Sequence, residues 1–219
     1  MPRTTLALTS FVSGELGAKL DGRTDFAKYN TGAKTLENFL IHPQGSATRR
    51  VGTQHIAEVK DSSKKTRLIP FEFSTTQTYI LEFGDQYMRV YKDKGQVLSG
   101  GSAFEISTPY LEAELFDIKF AQSADVLYLC HPNHDVRKLS RTGHTSWTLA
   151  TVSFSGSPSL PIAGADNRPS CVSFFEQRLV FANTNNNPQT LWFSKSGDYE
   201  NFTTGTNADD AMIYTIASN

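Results

Sequence analysis

The densest group of side chains that could do chemistry is His131-Pro-Asn-His134-Asp135. Two imidazoles three residues apart could bind a metal ion or supply a general base. On a loop they give at most two ligands, and the sequence identifies no third partner for them. We therefore predict a solvated hairpin loop here, with no metal-binding, cofactor-binding or catalytic residue.

Carboxylates offer a second group, formed by Asp198, Glu200 and the pair Asp209-Asp210. Their spacing does not match a calcium-binding loop, and nothing identifies the two opposed acids that hydrolysis of a glycoside needs. The chain also has no GxSxG nucleophile elbow and no GxxxxGK or GxGxxG phosphate loop. The sequence therefore predicts a protein that is not an enzyme and uses no cofactor.

Two further groups of side chains are compatible with binding. A basic run could contact nucleic acid, but acidic neighbours and a net charge of −1 favour a solvated or subunit-facing patch. Four aromatic residues could form a sugar-binding shelf or pack between sheets, and we favour packing. The basic run is Arg49, Arg50, Lys60, Lys64 and Lys65, and the aromatics are Tyr87, Tyr91, Trp147 and Trp192.

Composition places these residues on a mainly β chain. The 219 residues are 38% hydrophobic and 11% aromatic, so one large or two small domains can form, with strands favoured over helices. The cysteines, Cys130 and Cys171, each lie in or beside an apolar run and are predicted to be two buried free thiols. No stretch approaches the ~20 apolar residues of a membrane-spanning helix, and we expect a soluble protein made in a cytoplasm.

Alternating apolar runs separated by polar turns predict antiparallel hairpins. Residues 127–129, 138–140 and 143 match apolar and turn positions 52 to 54 residues later, which suggests a repeat. Four strands in about 40–50 residues is the signature of a propeller blade, although the meanders of a β-sandwich would also give such hairpins. We predict blade-like repeats at about 66–98, 118–150 and 170–203, followed by a strand that begins a further, truncated unit.

Residues 1–55 differ from the rest and are called the N-terminal arm below. They are rich in Gly, Thr, Asn, Arg and Lys, with isolated apolar residues at wide intervals. Such a segment buries too little apolar surface to fold alone. We predict an extended assembly arm with short helices, one of them at residues 24–29, that becomes ordered on another surface. A short connector helix is predicted at residues 110–115.

The arm resembles the N-terminus of the tail nozzle family of short-tailed bacteriophages, also called tail tubular protein B. The matching phrases are Ser13-Gly14-Glu15, Gly22-Arg23-Thr24-Asp25 leading to Tyr29, and Asn38 followed by Gln44-Gly45 and Arg49-Arg50-Val51-Gly52-Thr53. Later phrases, LIPFEFSTTQTYILEFGDQYMRVY, FAQSADVLYLCHP and LWFSKSGDY, extend the resemblance over nearly the whole chain. Gly17-Ala18 and Val51 depart from the Ser-Pro and Pro common in that family.

The resemblance implies a structural virion protein of the phage tail, made in the host cytoplasm. It would form a homo-oligomeric, hexameric ring that docks on the tail adaptor, anchors tail fibres and meets the host outer surface. Double-stranded DNA would pass through its channel without sequence-specific binding. The arm residues expected to take part in assembly are Phe11, Glu15, Arg23, Asp25, Tyr29, Asn38, Phe39, Gln44, Arg49 and Arg50.

Two other functions compete with this hypothesis. A tail-associated β-propeller could bind a receptor or glycan through exposed aromatic residues. A cell-wall hydrolase is the weaker alternative, because the sequence offers no positioned acid–base pair. Under the resemblance to the tail nozzle family, the chain would be the N-terminal portion of a longer protein, or a short homologue.

Overall fold

The computed structural model describes residues 7–156, 164 and 167–216. The chain divides into two compact units, residues 1–55 and residues 56–219. Strands make up 44% of the structure and helices 4%, so the expected mainly β class is confirmed. The sheets are almost all antiparallel, and none of those described closes on itself.

The first unit contains short elements only. Strands β1 (Gly14–Glu15) and β2 (Gly32–Ala33) pair in parallel, and β3 (Phe39–Ile41) and β4 (Ala47–Arg49) form an antiparallel hairpin. Two 3-10 turns occupy Ala18–Leu20 and Tyr29–Thr31. The helix predicted at residues 24–29 is wrong, because residues 24–28 form successive turns and residue 29 begins the second 3-10 segment.

Strands supply most of the regular structure described in the second unit. They are β5 (Arg67–Glu72), β6 (Thr78–Gly84), β7 (Tyr87–Lys92), β8 (Gly95–Gln96), β9 (Leu98–Ser99), β10 (Ser102–Ala103), β11 (Glu105–Ser107), β12 (Lys119–Ser123), β13 (Val126–His131), β14 (His134–Gly143), β15 (Ser146–Thr151), β16 (Cys171–Phe175), β17 (Arg178–Ala182), β18 (Thr190–Phe193) and β19 (Met212–Thr215). A 3-10 turn at Glu112–Glu114 replaces the predicted connector helix.

Three main sheets follow one another along the second unit. The first sheet has the order β11-β7-β6-β5 with β8 also beside β7, the second is β12-β13-β14-β15, and the third is β16-β17-β18-β19. Tight turns with positive φ at Asp93-Lys94 and Glu176-Gln177 join neighbouring strands. Positive φ at both central positions is the geometry that matches the twist of a two-residue hairpin.

Two outer strands lie elsewhere than the sequence predicted. Residues 96–98 contribute only the short β8 and the start of β9, and β11 completes the first sheet after a longer connection. In the third sheet the fourth strand is Met212–Thr215, whereas Phe202 is a buried residue outside the strands. The strand expected to begin a further unit therefore belongs to the third sheet.

Apolar side chains form two clusters, each shared by consecutive sheets. The first cluster joins residues of the first two sheets, including Ile69, Leu81 and Leu129. The second joins the second and third sheets through Tyr128, Phe181 and Trp192, all at most 4% exposed. Successive sheets are therefore held together by burial of their facing sides.

Polar contacts also connect the sheets at their first strands. The Gln122 side chain of β12 donates to the Glu72 carbonyl of β5 and accepts from the Glu72 amide, at 2.7 and 3.1 Å. Strand β12 in turn lies beside β16. The first strands of the three sheets thus follow one another along one side of the unit.

Candidate functional site

The N-terminal arm has almost no core of its own. Among its described residues, 7–55, the buried positions are all glycines: Gly14, Gly32 and Gly45. Apolar side chains are exposed along its length, from 38% for Ile41 to 83% for Val51. The exposed set is Leu8, Val12, Phe26, Phe39, Leu40, Ile41 and Val51. This unit therefore presents apolar surface instead of burying it.

The two strands of the β3–β4 hairpin and the residues flanking them carry four of the residues expected to take part in assembly. Arg50 donates from Nε to the Asn38 side-chain oxygen at 2.7 Å and from its amide to the Asn38 carbonyl at 2.9 Å. Asn38 has a φ of 62°, which an asparagine tolerates better than most residues. Phe39 pairs with Arg49 in the hairpin register, and Phe39 is 47% exposed. The hairpin thus displays the ring of Phe39 next to Arg49.

The other expected residues are spread over the arm. Phe11 and Tyr29 line one groove of about 550 Å³, and Gln44 is exposed in the turn of the β3–β4 hairpin. Glu15 accepts a hydrogen bond from the Leu36 amide at 2.9 Å. Arg23 and Asp25 form a bidentate pair, which lies on the surface. The structure therefore brings these residues together in small local groups rather than in one site.

The outer face of the first sheet carries an apolar groove of about 570 Å³. Leu68 and Ile80, which project from this face, are 63% and 41% exposed. Below them Glu82 is 1% exposed and accepts hydrogen bonds from the hydroxyls of Tyr87, at 2.7 Å, and Tyr91, at 2.5 Å. Burial and the bond from its own hydroxyl to Glu82 raise the pKa of Tyr91 to about 12, so this hydroxyl stays protonated and donates.

The outer face of the third sheet is also apolar. Phe175 and Tyr214 are 58% and 59% exposed, and the Tyr214 ring contacts the ring of Phe193. Cys171 lies on β16 at the same alternation as Phe175 and is exposed, so the prediction that both cysteines are buried is wrong for Cys171. Cys130 is buried and its pKa is raised by burial.

Most of the aromatic residues that could have formed a sugar-binding shelf are in the core. Tyr87, Trp147 and Trp192 are 4%, 6% and 1% exposed, and only Tyr91 is half-buried. Trp147 packs edge-on against Phe71 with ring centres 4.9 Å apart. The prediction of packing between sheets is therefore confirmed for Trp147 and Trp192, which belong to the two apolar clusters. Tyr87 is buried on the outer face of the first sheet instead, where its hydroxyl donates to Glu82.

Three of the four acidic residues considered from the sequence, Glu200, Asp209 and Asp210, form pairs with lysine. Glu200 accepts from Lys138 Nζ at 2.5 Å and from the Tyr128 hydroxyl at 3.2 Å. Asp209 and Asp210 both face Lys195, at 3.2 and 3.5 Å. Each cluster thus carries its own counter-charge.

A polar cluster forms where the first and second sheets adjoin, from Glu114, His131 and His134. Each residue offers one atom that could bind a metal ion, and these three atoms lie within 4.8 Å of one another. His134 Nε2 and Glu114 Oε2 are 2.7 Å apart. We call these three residues the Glu–His–His cluster.

Local backbone geometry positions the cluster. Glu114 ends the Glu112–Glu114 turn, and its carboxylate accepts from the Leu111 amide at 3.0 Å and from the Asn133 side chain at 3.1 Å. His131 ends β13 and His134 begins β14, so a tight turn places both rings on the same side. The ring centres of the two histidines are 5.1 Å apart.

The electrostatics of the cluster favour a charged carboxylate and a neutral His131. Burial raises the pKa of Glu114, but the hydrogen bonds from Leu111, His134 and Asn133 outweigh it and bring that pKa to about 2. Burial lowers the pKa of His131, which is 2% exposed. The prediction of a solvated loop is therefore wrong for His131.

Several buried polar atoms near the cluster lack a hydrogen-bond partner within the described part of the chain. They include His131 Nε2, the Tyr110 hydroxyl and Arg137 Nε. The Tyr110 ring packs edge-on against His134 with centres 5.1 Å apart. Unsatisfied buried polar atoms are rare in folded proteins and point to a group that can interact with something further.

Sequence reasoning found the two histidines and missed Glu114. The glutamate lies 17 residues before His131 and reaches it only because the Glu112–Glu114 turn folds back on the β13–β14 hairpin. Leu111 is not a capping residue type, so the sequence carried no motif for this contact, although the Leu111 amide donates to the Glu114 carboxylate and fixes it.

The described residues contain no helix long and apolar enough to cross a membrane. No family model and no curated protein sequence matches this chain.

Proposed function

We propose that this protein is a structural component of a phage tail nozzle, built into a ring through its N-terminal arm. The observation that carries the proposal is the arm without a core, whose described buried residues are all glycines while its apolar side chains are exposed. A segment of this kind gains its apolar burial from another surface. The sequence motifs of the arm resemble those of the tail nozzle family, and on this basis we propose the tail nozzle as the assembly.

The three main sheets would then be blades of an incomplete β-propeller. Their strand order is sequential in the second and third sheets, their facing sides share two apolar clusters, and their first strands adjoin. These features are typical of blades arranged around an axis. The outer faces of the first and third sheets would meet partners, since both carry exposed apolar side chains.

Ring formation fits surfaces of this type. A closed ring of identical subunits joins one patch to a different patch on the neighbour. The arm hairpin offers Phe39 and Arg49 as one such patch. Contacts to a tail adaptor, to tail fibres and to passing double-stranded DNA are part of the same proposal, as is the location in the virion. A near-neutral chain suits a DNA conduit, because a strongly basic lining would retain DNA.

Deletion of residues 1–32 tests the role of the arm. We expect the truncated protein to keep the circular dichroism spectrum of a β protein but to be absent from purified tails. The matched control is the full chain with Lys19→Ser, an exposed arm residue outside the expected assembly set. Normal incorporation of the truncated protein would contradict the proposal.

Mass photometry with negative-stain imaging tests ring formation directly. Six-fold rings, alone or with the adaptor, support the proposed function. A protein that stays monomeric under all conditions would contradict the proposal. Degradation of peptidoglycan by that monomer would favour the hydrolase, and binding of a glycan would favour the receptor- or glycan-binding protein.

A further inference from the structure

We propose that the Glu–His–His cluster binds one divalent transition-metal ion, with Zn²⁺ the best match, through Glu114, His131 and His134. Two imidazoles and one carboxylate are a donor set that zinc accepts, with a fourth position left for water. This site is independent of the proposed function and of ring formation.

The spacing of the donor atoms is suited to an ion after a small adjustment. Ligands about 2.0–2.2 Å from zinc at tetrahedral angles lie about 3.4 Å from one another. The three donor atoms here all lie within 4.8 Å of each other. His134 Nε2 and Glu114 Oε2 are 2.7 Å apart because a proton lies between them. An ion that replaces this proton needs these two atoms to separate by less than 1 Å.

His131 supplies an independent observation. Its side chain is among the buried polar groups, at 2% exposure, and its Nε2 has no hydrogen-bond partner in the described chain. A metal ion bound at Nε2 would give this nitrogen a partner. Buried nitrogen atoms are otherwise almost always paired.

Metal binding at Nε2 has a defined proton balance. In the metal-free chain the Asn133 amide donates to His131 Nδ1 at 3.0 Å, so the neutral ring carries its proton on Nε2. Coordination moves that proton to Nδ1 and ends the contact with the Asn133 amide. Asn133 is an exposed turn residue, so water can take over its amide. The proton between His134 and Glu114 leaves Nε2 as well, either to solvent or to His134 Nδ1.

The surroundings hold the donors in place while leaving a path to solvent. The Leu111 amide and the Asn133 side chain orient the carboxylate from behind, as second-layer groups do in metal sites. The side chains of His134 and Glu114 are 21% and 16% exposed. An ion can therefore enter from this side.

Calorimetric titration of the chelator-treated full chain with ZnCl₂ tests the site, with Co²⁺ as a spectroscopic substitute. We expect one ion per chain, micromolar or tighter affinity, and cobalt absorption bands typical of nitrogen and oxygen donors. His134→Gln and Glu114→Gln should each weaken binding at least tenfold. His55→Gln, at an exposed histidine outside the cluster, should leave it unchanged.

Folding of each variant is checked by circular dichroism, and long-range ¹H–¹⁵N spectra follow the His131 ring in the wild-type chain. Zinc should move the His131 proton from Nε2 to Nδ1. Absence of saturable binding below 1 mM by the folded chain would overturn the proposal. Equal affinity in His134→Gln and wild type, or a His131 tautomer that zinc does not change, would also overturn it.

Discussion

Replacing Arg178 by methionine tests whether a buried guanidinium holds the outer part of the third sheet together. Arg178 is 6% exposed. Its Nη1 donates to the carbonyls of Ser194 and Asp210 at 2.7 and 2.6 Å, and its Nη2 donates to the carbonyl of Ala208 at 2.7 Å. One side chain therefore fastens the connection that precedes β19 to strands β17 and β18.

The expected loss follows from those three contacts. Methionine keeps much of the side-chain volume but leaves three carbonyl oxygens without a charged donor. A hydrogen bond to a charged group contributes about 1.5–3 kcal/mol to stability. The variant no longer has to bury a charged guanidinium, and this gain offsets part of the loss of the three bonds. We expect the free energy of unfolding to fall by about 3–5 kcal/mol, a large share of the ~5–15 kcal/mol typical of a domain.

Urea denaturation followed by tryptophan fluorescence measures this loss, because Trp192 is buried in the third sheet. The control is Arg168→Met, which removes a partly exposed pair with Asp135 at 2.9 Å. Such a pair contributes about 0–1 kcal/mol. If Arg178→Met and Arg168→Met lower the free energy of unfolding equally, the carbonyl contacts do not stabilise the sheet and the reasoning is refuted.

Two further predictions concern ionisable groups. Glu114 has a folded-state pKa of about 2, below the ~4.3 of an unfolded glutamate, so its stabilising contribution is full above about pH 5 and is lost as the pH falls toward 2. Urea titrations in chelator should show a stability gap between wild type and Glu114→Gln of up to about 3 kcal/mol at pH 6 that closes near pH 2; a gap independent of pH would contradict this. Native protein should react with a thiol reagent at the exposed Cys171 alone, and at the buried Cys130 only after unfolding, as mass spectrometry of the labelled peptides would show. Equal labelling of both thiols in the native chain would be the contrary result.

The strands that sequence reasoning located correctly are short apolar runs next to a turn. Some show a two-residue alternation, and others, such as Arg178–Ala182, are buried almost throughout. Residues 78–83 illustrate the alternation, since β6 runs from Thr78 to Gly84 with Tyr79 and Leu81 inside. The signal is local, because one buried face imposes the alternation. Such a pattern needs no knowledge of which strands become neighbours.

The outer strands and the Glu–His–His cluster depend on contacts that are distant in sequence. Strand β19 pairs with β18 across a connection of irregular residues, and Phe202 within that connection is buried without being in a strand. From the sequence, a single apolar residue in a strand looks the same as one that is buried in an irregular connection. The contact between Glu114 and His134 likewise depends on the tertiary fold, and their separation in the sequence does not predict it.

The distribution of apolar surface links the fold to the proposed assembly. Facing sides of consecutive sheets bury their apolar residues in two clusters, whereas Leu68 on the first sheet and Phe175 on the third lie on the opposite, outer faces and are 63% and 58% exposed. A specific interface buries about 800 Å² on each partner, and an extended sheet face with an apolar centre is suited to supply that area. The arm adds further exposed apolar residues without a core beneath them. This distribution of exposed apolar residues supports our proposal that the protein has a structural role in an assembly.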